Sequence, residues 1–183
     1  FARGVLDRIR YQPGVTSASL INSLPFARMF IQGDFEIEGQ PKPTFPAGQP
    51  KIDAGYFKTM GIPLLAGRDF DARDGAEAPK VAIVSERIIR ACFPGGPGEA
   101  LGGRVRMEGG GEWLTVVGVA ADVRQRRLDG EVQPMIYVPF QQERAQPFLL
   151  RFIAFVARTS TPGSVLEGMR GEIRRAAPDL PIL

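Results

Sequence analysis

The side chains that most often carry enzyme chemistry are scarce in this sequence. It contains no histidine and a single cysteine, Cys92. Without histidine the commonest general base is missing, so neither a Ser-His-Asp nor a Cys-His site can form. Cys92 occupies the apolar face of a predicted helix, where a small core residue is a better interpretation than a reactive thiol. The sequence therefore offers no nucleophile with a base beside it.

Acidic residues cluster at two places that could bind a cation or transfer a proton. Asp69, Asp71 and Asp74 resemble part of a calcium-binding loop, but the spacing of an EF-hand requires an acid at position 73, which holds arginine. Glu36 and Glu38 alternate on one face of a predicted strand, with nothing nearby that marks them as an acid–base pair. We interpret the first group as solvated loop acids and the second as an exposed sheet face.

Glycine, arginine and apolar clusters provide three further candidate sites. The glycine runs at residues 95–98 and 109–111 fit neither a phosphate-binding loop nor the G-x-G-x-x-G dinucleotide pattern, and we interpret them as turns. The basic cluster at residues 124–127 could contact phosphate, lipid headgroups or a partner's acids, although a solvated loop is the simpler interpretation. Core packing is favoured over an exposed apolar patch for three residues, Phe26, Met29 and Phe30.

Length and composition are those of an ordinary globular protein. Of the 183 residues, 44% are hydrophobic and 23% are charged, which is too apolar for a disordered chain. The net charge of +3 reflects arginines in near balance with acids and does not indicate a nucleic-acid-binding surface. The longest apolar runs, residues 114–121 and 148–156, have the length of strands rather than of membrane spans. Because the chain starts within an amphipathic pattern and stops as apolar residues resume, we expect a piece of a longer protein.

Helices and strands are predicted to alternate along the chain. Apolar residues at helical spacing predict a first helix over residues 1–12. A second helix is predicted over residues 85–92, and a last one over residues 162–177 with Thr161 as N-cap and Pro162 at its first position. The predicted strands, of which the fourth and fifth form a hairpin, are residues 15–21, 30–38, 80–84, 104–107, 113–122, 135–139 and 148–158.

Residues 53–70, DAGYFKTMGIPLLAGRDF, form the segment around which the chain is organised. The pattern predicts a short helix with Asp53 as N-cap and Phe57 on its buried side. Gly61 can adopt the left-handed conformation that ends the helix. A buried strand is predicted to follow at residues 64–65, before the chain turns into a charged loop.

The beginning and the end of the chain share one pattern. Residues 6–15 (LDRIRYQPGV) and 170–183 (RGEIRRAAPDLPIL) each combine a basic amphipathic helix, a proline turn and an apolar strand. We interpret them as two βαβ-like halves, the first without its leading strand and the second without its trailing strand. Because residues 79–145 interrupt the halves, the expected fold is a discontinuous lobe with a second lobe inserted into it.

Five stretches resemble, in order and rough spacing, the periplasmic domain of MacB/FtsX-type ABC transporter permeases. They are QPGVTSASL with SLPF, GYFKTMGIPLLAGRDF, VAIVSERIIRACFPG, WLTVVGVAADVR with LDGE, and PMIYVPF. Each stretch alone is a generic packing or turn pattern, but together they span most of the chain. The resemblance implies an α+β fold, in which a porter-like βαβ lobe of residues 1–78 and 146–183 carries a small β-rich lobe of residues 79–145.

The same resemblance implies a non-catalytic, extracytoplasmic domain of a bacterial inner-membrane permease, which couples motion of the membrane domain to a substrate, adaptor or envelope partner. Its expected partners are its own transmembrane helices, a partner permease domain, a cytoplasmic ATPase domain or subunit and, in some systems, a periplasmic adaptor; no nucleic acid is expected. No catalytic, cofactor-binding or metal-binding residues are assigned, and no cofactor is expected. The alternatives are a stand-alone extracytoplasmic module that binds a ligand or a protein, and a small hydrolase.

Overall fold

The computed structural model describes residues 2–26, 31–109, 111–124, 129–142, 152–179 and 181–182, which contain five α-helices, a short 3-10 helix (Phe140–Gln142) and eleven strands. The helices are α1 (Ala2–Arg10), α2 (Tyr56–Met60), α3 (Glu86–Cys92), α4 (Pro97–Ala100) and α5 (Pro162–Ala176). The strands are β1 (Val15–Ile21), β2 (Gln32–Gly33), β3 (Phe35–Ile37), β4 (Ala47–Gly48), β5 (Lys51–Ile52), β6 (Leu64–Gly67), β7 (Val81–Ser85), β8 (Arg104–Met107), β9 (Leu114–Ala120), β10 (Ile136–Pro139) and β11 (Ala154–Thr159). No helix in these ranges has the length and apolar character needed to cross a bilayer.

Nine of these strands form one mixed sheet. Its order is β11-β1-β5-β10-β7-β9-β8-β3, and β6 pairs with β9 beside this path. The pairs β5–β10 and β7–β9 are parallel, whereas the other pairs of the sheet are antiparallel. β2 and β4 form a separate two-stranded sheet. The predicted α+β class and the predicted pairing of β8 with β9 are confirmed.

The first and last helices lie against one shared part of the sheet. The apolar side of α1 is fully buried, including Leu6 and Ile9, and it packs with Leu20 of β1. Met169 and Ile173 of α5 join the same cluster but remain partly exposed. Pro162 occupies the start of α5 as predicted, although the Thr161 side chain forms no capping hydrogen bond. The periodicity of both helices therefore predicted their inner faces correctly.

Helix α2 packs against the opposite face of the same strands. Tyr56 and Phe57 are buried with Ala154 and Val156 of β11 beside them. The ring of Phe57 meets that of Tyr137 edge to face, with centroids 4.9 Å apart. Such aromatic pairs add to the burial of the rings themselves. A third apolar cluster lies where α3 covers β7 and β9, away from these helices.

Two details of the segment 53–70 were predicted wrongly, while its helix stop is confirmed. Gly61 ends α2 with φ of 72°, the left-handed conformation that glycine adopts without strain. Asp53 does not cap α2: the N-cap is Gly55, which offers no side-chain bond, and the Asp53 carboxylate instead contacts α1. The predicted buried strand exists as β6, but its side chains alternate between the two faces, so Leu64 packs against the core while Leu65 is 46% exposed.

Strand boundaries differ from prediction at three further places. The strand predicted over residues 30–38 is divided into β2 and β3, and the connection expected to be irregular at 39–49 contains β4. β2 and β4 pair with each other because the connection that follows β3 brings the chain back alongside β2. The last predicted strand begins at Ala154 in the structure, and its first positions, 148–151, lie outside the described residues.

The division into two lobes stays a prediction. Strands from both proposed segments pair with each other: β3 with β8, β6 with β9, and β5 with β10. These pairs join residues 35–37, 51–52 and 64–67 to the segment 79–145. A boundary between the two proposed lobes would therefore run between paired strands of one sheet. Its position cannot be located from the order of the sequence alone.

Truncation of Phe57 tests whether α2 organises the fold. Phe57 is 1% exposed, so Phe57→Ala should cost about 3–5 kcal/mol of unfolding free energy as a core cavity. Tyr56→Phe is the matched control, because the Tyr56 hydroxyl is buried without a hydrogen-bond partner among the described residues. Its loss should change stability by no more than about 1 kcal/mol. Thermal melting of both variants checks this, and equal melting temperatures for Phe57→Ala and the natural chain would contradict it.

Candidate functional site at the first and last helices

The candidate catalytic and metal-binding residues are not assembled into such a site in the described part of the chain. No group of three or more His, Cys, Asp or Glu residues there could hold a metal ion. Cys92 is half-buried against the cluster under α3, and burial raises the pKa of its thiol. A thiol that ionises less readily is a poor nucleophile, which agrees with the interpretation as a core residue.

The aspartates of the loop after β6 are held by arginines. Arg68 donates two hydrogen bonds to the Asp74 carboxylate, at 2.7 and 2.8 Å. Asp74 is buried, so its assignment as a solvated loop acid was wrong; the loop folds back over it. Asp71 is paired with Arg73 at 2.8 Å on the exposed side. Burial raises the pKa of Asp69, which accepts the N–H of the next residue.

Glu36 and Glu38 lie on the exposed sheet face that their alternation predicted. Glu36 pairs with Arg106 at 2.7 Å, and Glu38 pairs with Arg104 on the neighbouring strand. Both guanidinium groups also lie over the ring of Trp113, Arg106 at 4.5 Å from its centroid. Each carboxylate therefore has a cation as its partner, which is a sheet-stabilising arrangement rather than an acid–base pair.

The loop after β1 exposes apolar side chains. Phe26 is 53% exposed, which corrects the interpretation as a core residue, and its φ of 64° is unusual for a residue other than glycine. Leu24 and Ile31 are also exposed on this loop. The other predicted members of the patch, Met29 and Phe30, lie outside the described residues, as do residues 125–127 of the basic cluster.

The buried carboxylate of Asp53 binds α1 through polar contacts with arginines of that helix. This carboxylate, 5% exposed, accepts a hydrogen bond from Arg10 Nη2 at 3.1 Å, and Arg3 lies 3.9 Å away. The Nε of Arg10 also donates to the Ala18 carbonyl of β1 at 3.1 Å. One arginine of α1 thus binds both β1 and the turn between β5 and α2.

A second buried carboxylate, Glu172, connects α1 to α5. It accepts a hydrogen bond from Arg8 Nε at 2.8 Å and another from Arg175 Nη1 at 2.8 Å. Its side chain is 11% exposed, although arginines lie two or three positions away on the same helix, at 170, 174 and 175. We call Arg8, Arg10, Asp53 and Glu172 the helix joint.

The helix joint connects α1 to α5 and to the β5–α2 turn. A displacement of α1 would separate its arginines from two carboxylates. Little water could reach these carboxylates to take the place of the arginines, and an unpaired buried charge is costly. Sequence reasoning missed this site. The available signal was Glu172, an acid next to the predicted inner-face residue Ile173, whereas Asp53 also fitted a local N-cap.

The Arg68–Asp74 pair predicts a pH-dependent contribution to stability. Burial of Asp74 disfavours its charge, but the Arg68 and backbone hydrogen bonds outweigh burial and lower its pKa. A lowered pKa stabilises the fold above the ordinary value near 4, and this contribution is lost as the pH falls through the folded-state pKa. Asp74→Asn should therefore cost about 1–3 kcal/mol at neutral pH and progressively less toward pH 3.

Urea unfolding of Asp74→Asn at several pH values measures this effect. Asp71→Asn is the comparison variant in the same loop: Asp71 is exposed, so solvent screens its 2.8 Å pair with Arg73 and its 3.7 Å contact with Arg68, and its loss should cost less than that of Asp74. A cost for Asp74→Asn that does not change between neutral and acidic pH would show that the charge of Asp74 is not what stabilises the loop.

Comparison with known families identifies the architecture. Residues 4–176 match the model of the MacB-like periplasmic core domain, which is nearly the whole chain. The search of proteins with curated functions returned no match.

Three solved structures share the fold at low sequence identity. The periplasmic region of MacB from Actinobacillus actinomycetemcomitans is 16% identical with a TM-score of 0.66, over 95% of this chain and 73% of that one. The extracellular domain of the ABC-type transporter YknZ from Gram-positive bacteria is 16% identical with a TM-score of 0.63, over 98% and 83%. A domain of a proposed permease protein from Porphyromonas gingivalis is 20% identical with a TM-score of 0.57, over 90% and 72%.

The family match and the shared fold agree with each other and with the five sequence stretches that resemble these permeases. The homologous regions are the periplasmic or extracellular parts of membrane transporters, which places this domain outside the cytoplasm. The chain therefore belongs to the family of MacB-like periplasmic core domains, the extracytoplasmic domains of ABC transporter permeases.

Proposed function

We propose that this domain is a non-catalytic coupling element, which transmits movement of the permease's membrane part to a substrate, an adaptor or another envelope partner. The helix joint is the observation that carries the proposal. Asp53 and Glu172 bind arginines of α1 from two different elements, and both carboxylates are shielded from water. A domain that only had to fold could use apolar residues here at no loss of stability.

To transmit movement rigidly, the elements of the domain that receive the force must move together. α1 is held to β1 by apolar packing and by Arg10, and to α5 by Arg8. A force applied to α1 or α5 would therefore reach the sheet through both packing and charge. In the full permease we assign the input to the domain's own transmembrane helices, driven by a cytoplasmic ATPase domain or subunit.

The output side is assigned to the exposed loop after β1. Leu24, Phe26 and Ile31 present apolar surface there, and Phe26 has a positive φ, which is uncommon for a residue other than glycine. A partner permease domain or a periplasmic adaptor would bury these side chains. No nucleic acid is proposed as a partner, since the net charge is only +3.

Asp53→Asn in the full-length permease tests the coupling role. The substitution keeps the shape of the side chain but removes its charge, and should cost the domain about 1–3 kcal/mol. We expect transport to fall severalfold while membrane level and ATP hydrolysis are retained, because α1 can then move without the sheet. Glu172→Gln should act in the same direction.

Two controls separate coupling from simple loss of stability. Val116→Ala removes core volume under α3, far from the helix joint, and should cost a similar amount, about 2 kcal/mol. Asp71→Asn removes an exposed carboxylate. Transport that falls equally in Asp53→Asn and Val116→Ala, in proportion to stability, would contradict a specific role for the helix joint.

The non-catalytic part of the proposal predicts that the domain binds neither nucleotide nor metal. The sequence has no phosphate-binding loop and no histidine, and the described residues contain no metal-ligand cluster. Calorimetric titration with ATP–magnesium, zinc and calcium should therefore give no saturable heat. Micromolar binding of any of them, with a defined stoichiometry, would overturn this part.

A further inference from the structure

The net positive charge of the chain is concentrated on two neighbouring helices. Together α1 and α5 contain six arginines and three acids, which are Arg3, Arg8, Arg10, Arg170, Arg174 and Arg175, and Asp7, Glu167 and Glu172. Of the 23 basic and 20 acidic residues in the chain, this leaves 17 of each for all other segments. The two helices therefore carry the whole surplus of +3, while the opposite charges balance in the rest of the chain.

Helices α1 and α5 lie side by side and run in opposite directions. Arg8 donates to Glu172 at 2.8 Å, and a Cβ placed at Gly168 would lie 2.5 Å from Gln12 Oε1. Residue numbers therefore rise along α1 as they fall along α5. Each helix is about 10 Å wide with its side chains, so the pair forms a surface about 20 Å wide. Its inner side is the apolar cluster on β1, and its outer side faces solvent.

Exposed arginines gather at one end of this outer surface. The antiparallel order places Arg3, near the start of α1, beside the end of α5 at which Arg174 and Arg175 lie. The side chains of Arg3 and Arg175 are 58% and 71% exposed, and Arg174 is exposed as well. The acids that Arg3 and Arg175 approach, Asp53 and Glu172, are shielded from water, and each also binds another arginine of α1. The charge that this end presents to solvent is therefore positive.

The other end of the outer surface combines exposed apolar side chains with balanced charge. Tyr11, which follows α1, is 90% exposed, and Leu166 of α5 is 48% exposed. The exposed acids of the two helices each pair with an arginine of the same helix, at 3.3 Å for Asp7 and 2.9 Å for Glu167. Tyrosine and leucine beside arginines are typical of helices that lie at the surface of a bilayer.

We propose that the outer face of α1 and α5 binds the anionic phospholipid headgroups of the bilayer that holds the permease. Arg3, Arg174 and Arg175 would bind the phosphates, because a planar guanidinium donates two parallel hydrogen bonds to one phosphate group. Tyr11 and Leu166 would enter the headgroup region. The proposal rests on the family and on the charge of this face, not on the coupling role.

Two observations favour lipid over an acidic protein as the occupant. The family consists of domains of membrane permeases, so a bilayer is tethered to the domain and weak contacts with it are sufficient. Protein interfaces are centred on a buried apolar core. Among the described residues of α1, α5 and the turn after α1, Tyr11 and Leu166 are the only large apolar side chains that are exposed. Charge rather than apolar area therefore dominates this face.

Vesicle sedimentation with the chain of residues 1–183 tests the proposal. At about 0.01 M salt, where the Debye length is about 30 Å, vesicles of phosphatidylglycerol and phosphatidylcholine in equal parts should bind the chain. Vesicles of phosphatidylcholine alone should not bind it. At about 0.5 M salt the Debye length falls to roughly 4 Å, and binding to the anionic vesicles should fall at least tenfold.

Two substitutions that remove one positive charge each supply a matched pair. Arg174→Gln should weaken binding to the anionic vesicles about fivefold, and Arg3→Gln with Arg174→Gln about 25-fold, because each arginine near an anionic surface contributes about a factor of five. Lys58→Gln is the control, since Lys58 is exposed on α2, which packs on the opposite face of the sheet. It should bind as the natural chain does. Melting temperatures establish that all variants are folded.

A photoreactive residue in place of Leu166 in the full-length permease identifies what lies against this face in membranes. Cross-links to phospholipid are expected. Cross-links to another protein and not to lipid would overturn the proposal and show that a protein partner occupies the face. Absence of binding to anionic vesicles at low salt would also overturn it. So would equal weakening by Arg174→Gln and Lys58→Gln, because net charge alone would then explain the binding.

Discussion

The packing of α2 against β10 is the contact on which the rest of the structure depends. β10 lies between β5 and β7, and so joins strands that are far apart in the sequence. Its Tyr137 is buried beneath Tyr56 and Phe57, whose rings meet it at 6.4 and 4.9 Å. Because these rings exclude water from the middle of the sheet, the strand pairs on both sides of β10 are protected from competition by solvent.

Buried polar groups specify the position of this central strand. The Ser85 hydroxyl accepts the N–H of Met135 at 3.0 Å, at the point where β7 ends and β10 begins. Gln142, 5% exposed, accepts the N–H of Val81 at the other end of β7 and donates to the carbonyls of Gly75 and Pro79. A shift in register would leave these groups buried without partners, which costs more than the bonds themselves contribute.

The charged pairs fall into two groups: those on the exposed face of the sheet and those of the helix joint. Pairs such as Glu36–Arg106 lie on one exposed sheet face, where solvent screens them and their contribution to stability is small. The carboxylates of the helix joint are shielded, and each binds arginines that α1 supplies. Relatives with only 16–20% identity retain the fold, so apolar pattern rather than residue identity defines the scaffold.

Local signals in the sequence predicted the helices and strands, and the residue types present excluded the common catalytic sites. Helical spacing predicted α1 and α5 with their inner faces, Gly61 predicted the end of α2, and the lack of histidine excluded the common catalytic sites. The two helix predictions are confirmed because propensity, periodicity and turn chemistry act over a few neighbouring residues.

Only the tertiary structure decided which distant groups meet. Asp53 fitted a helix cap by local pattern, but its partner Arg10 lies 43 residues away. Leu65 fitted a buried strand, but it lies on the outer face of β6 and is exposed, and Asp74 became buried because its loop folds back onto Arg68. In each case the environment of the side chain depends on strand order and loop path. Strand order and loop path follow from the packing of the whole chain, so local periodicity carries no information about either.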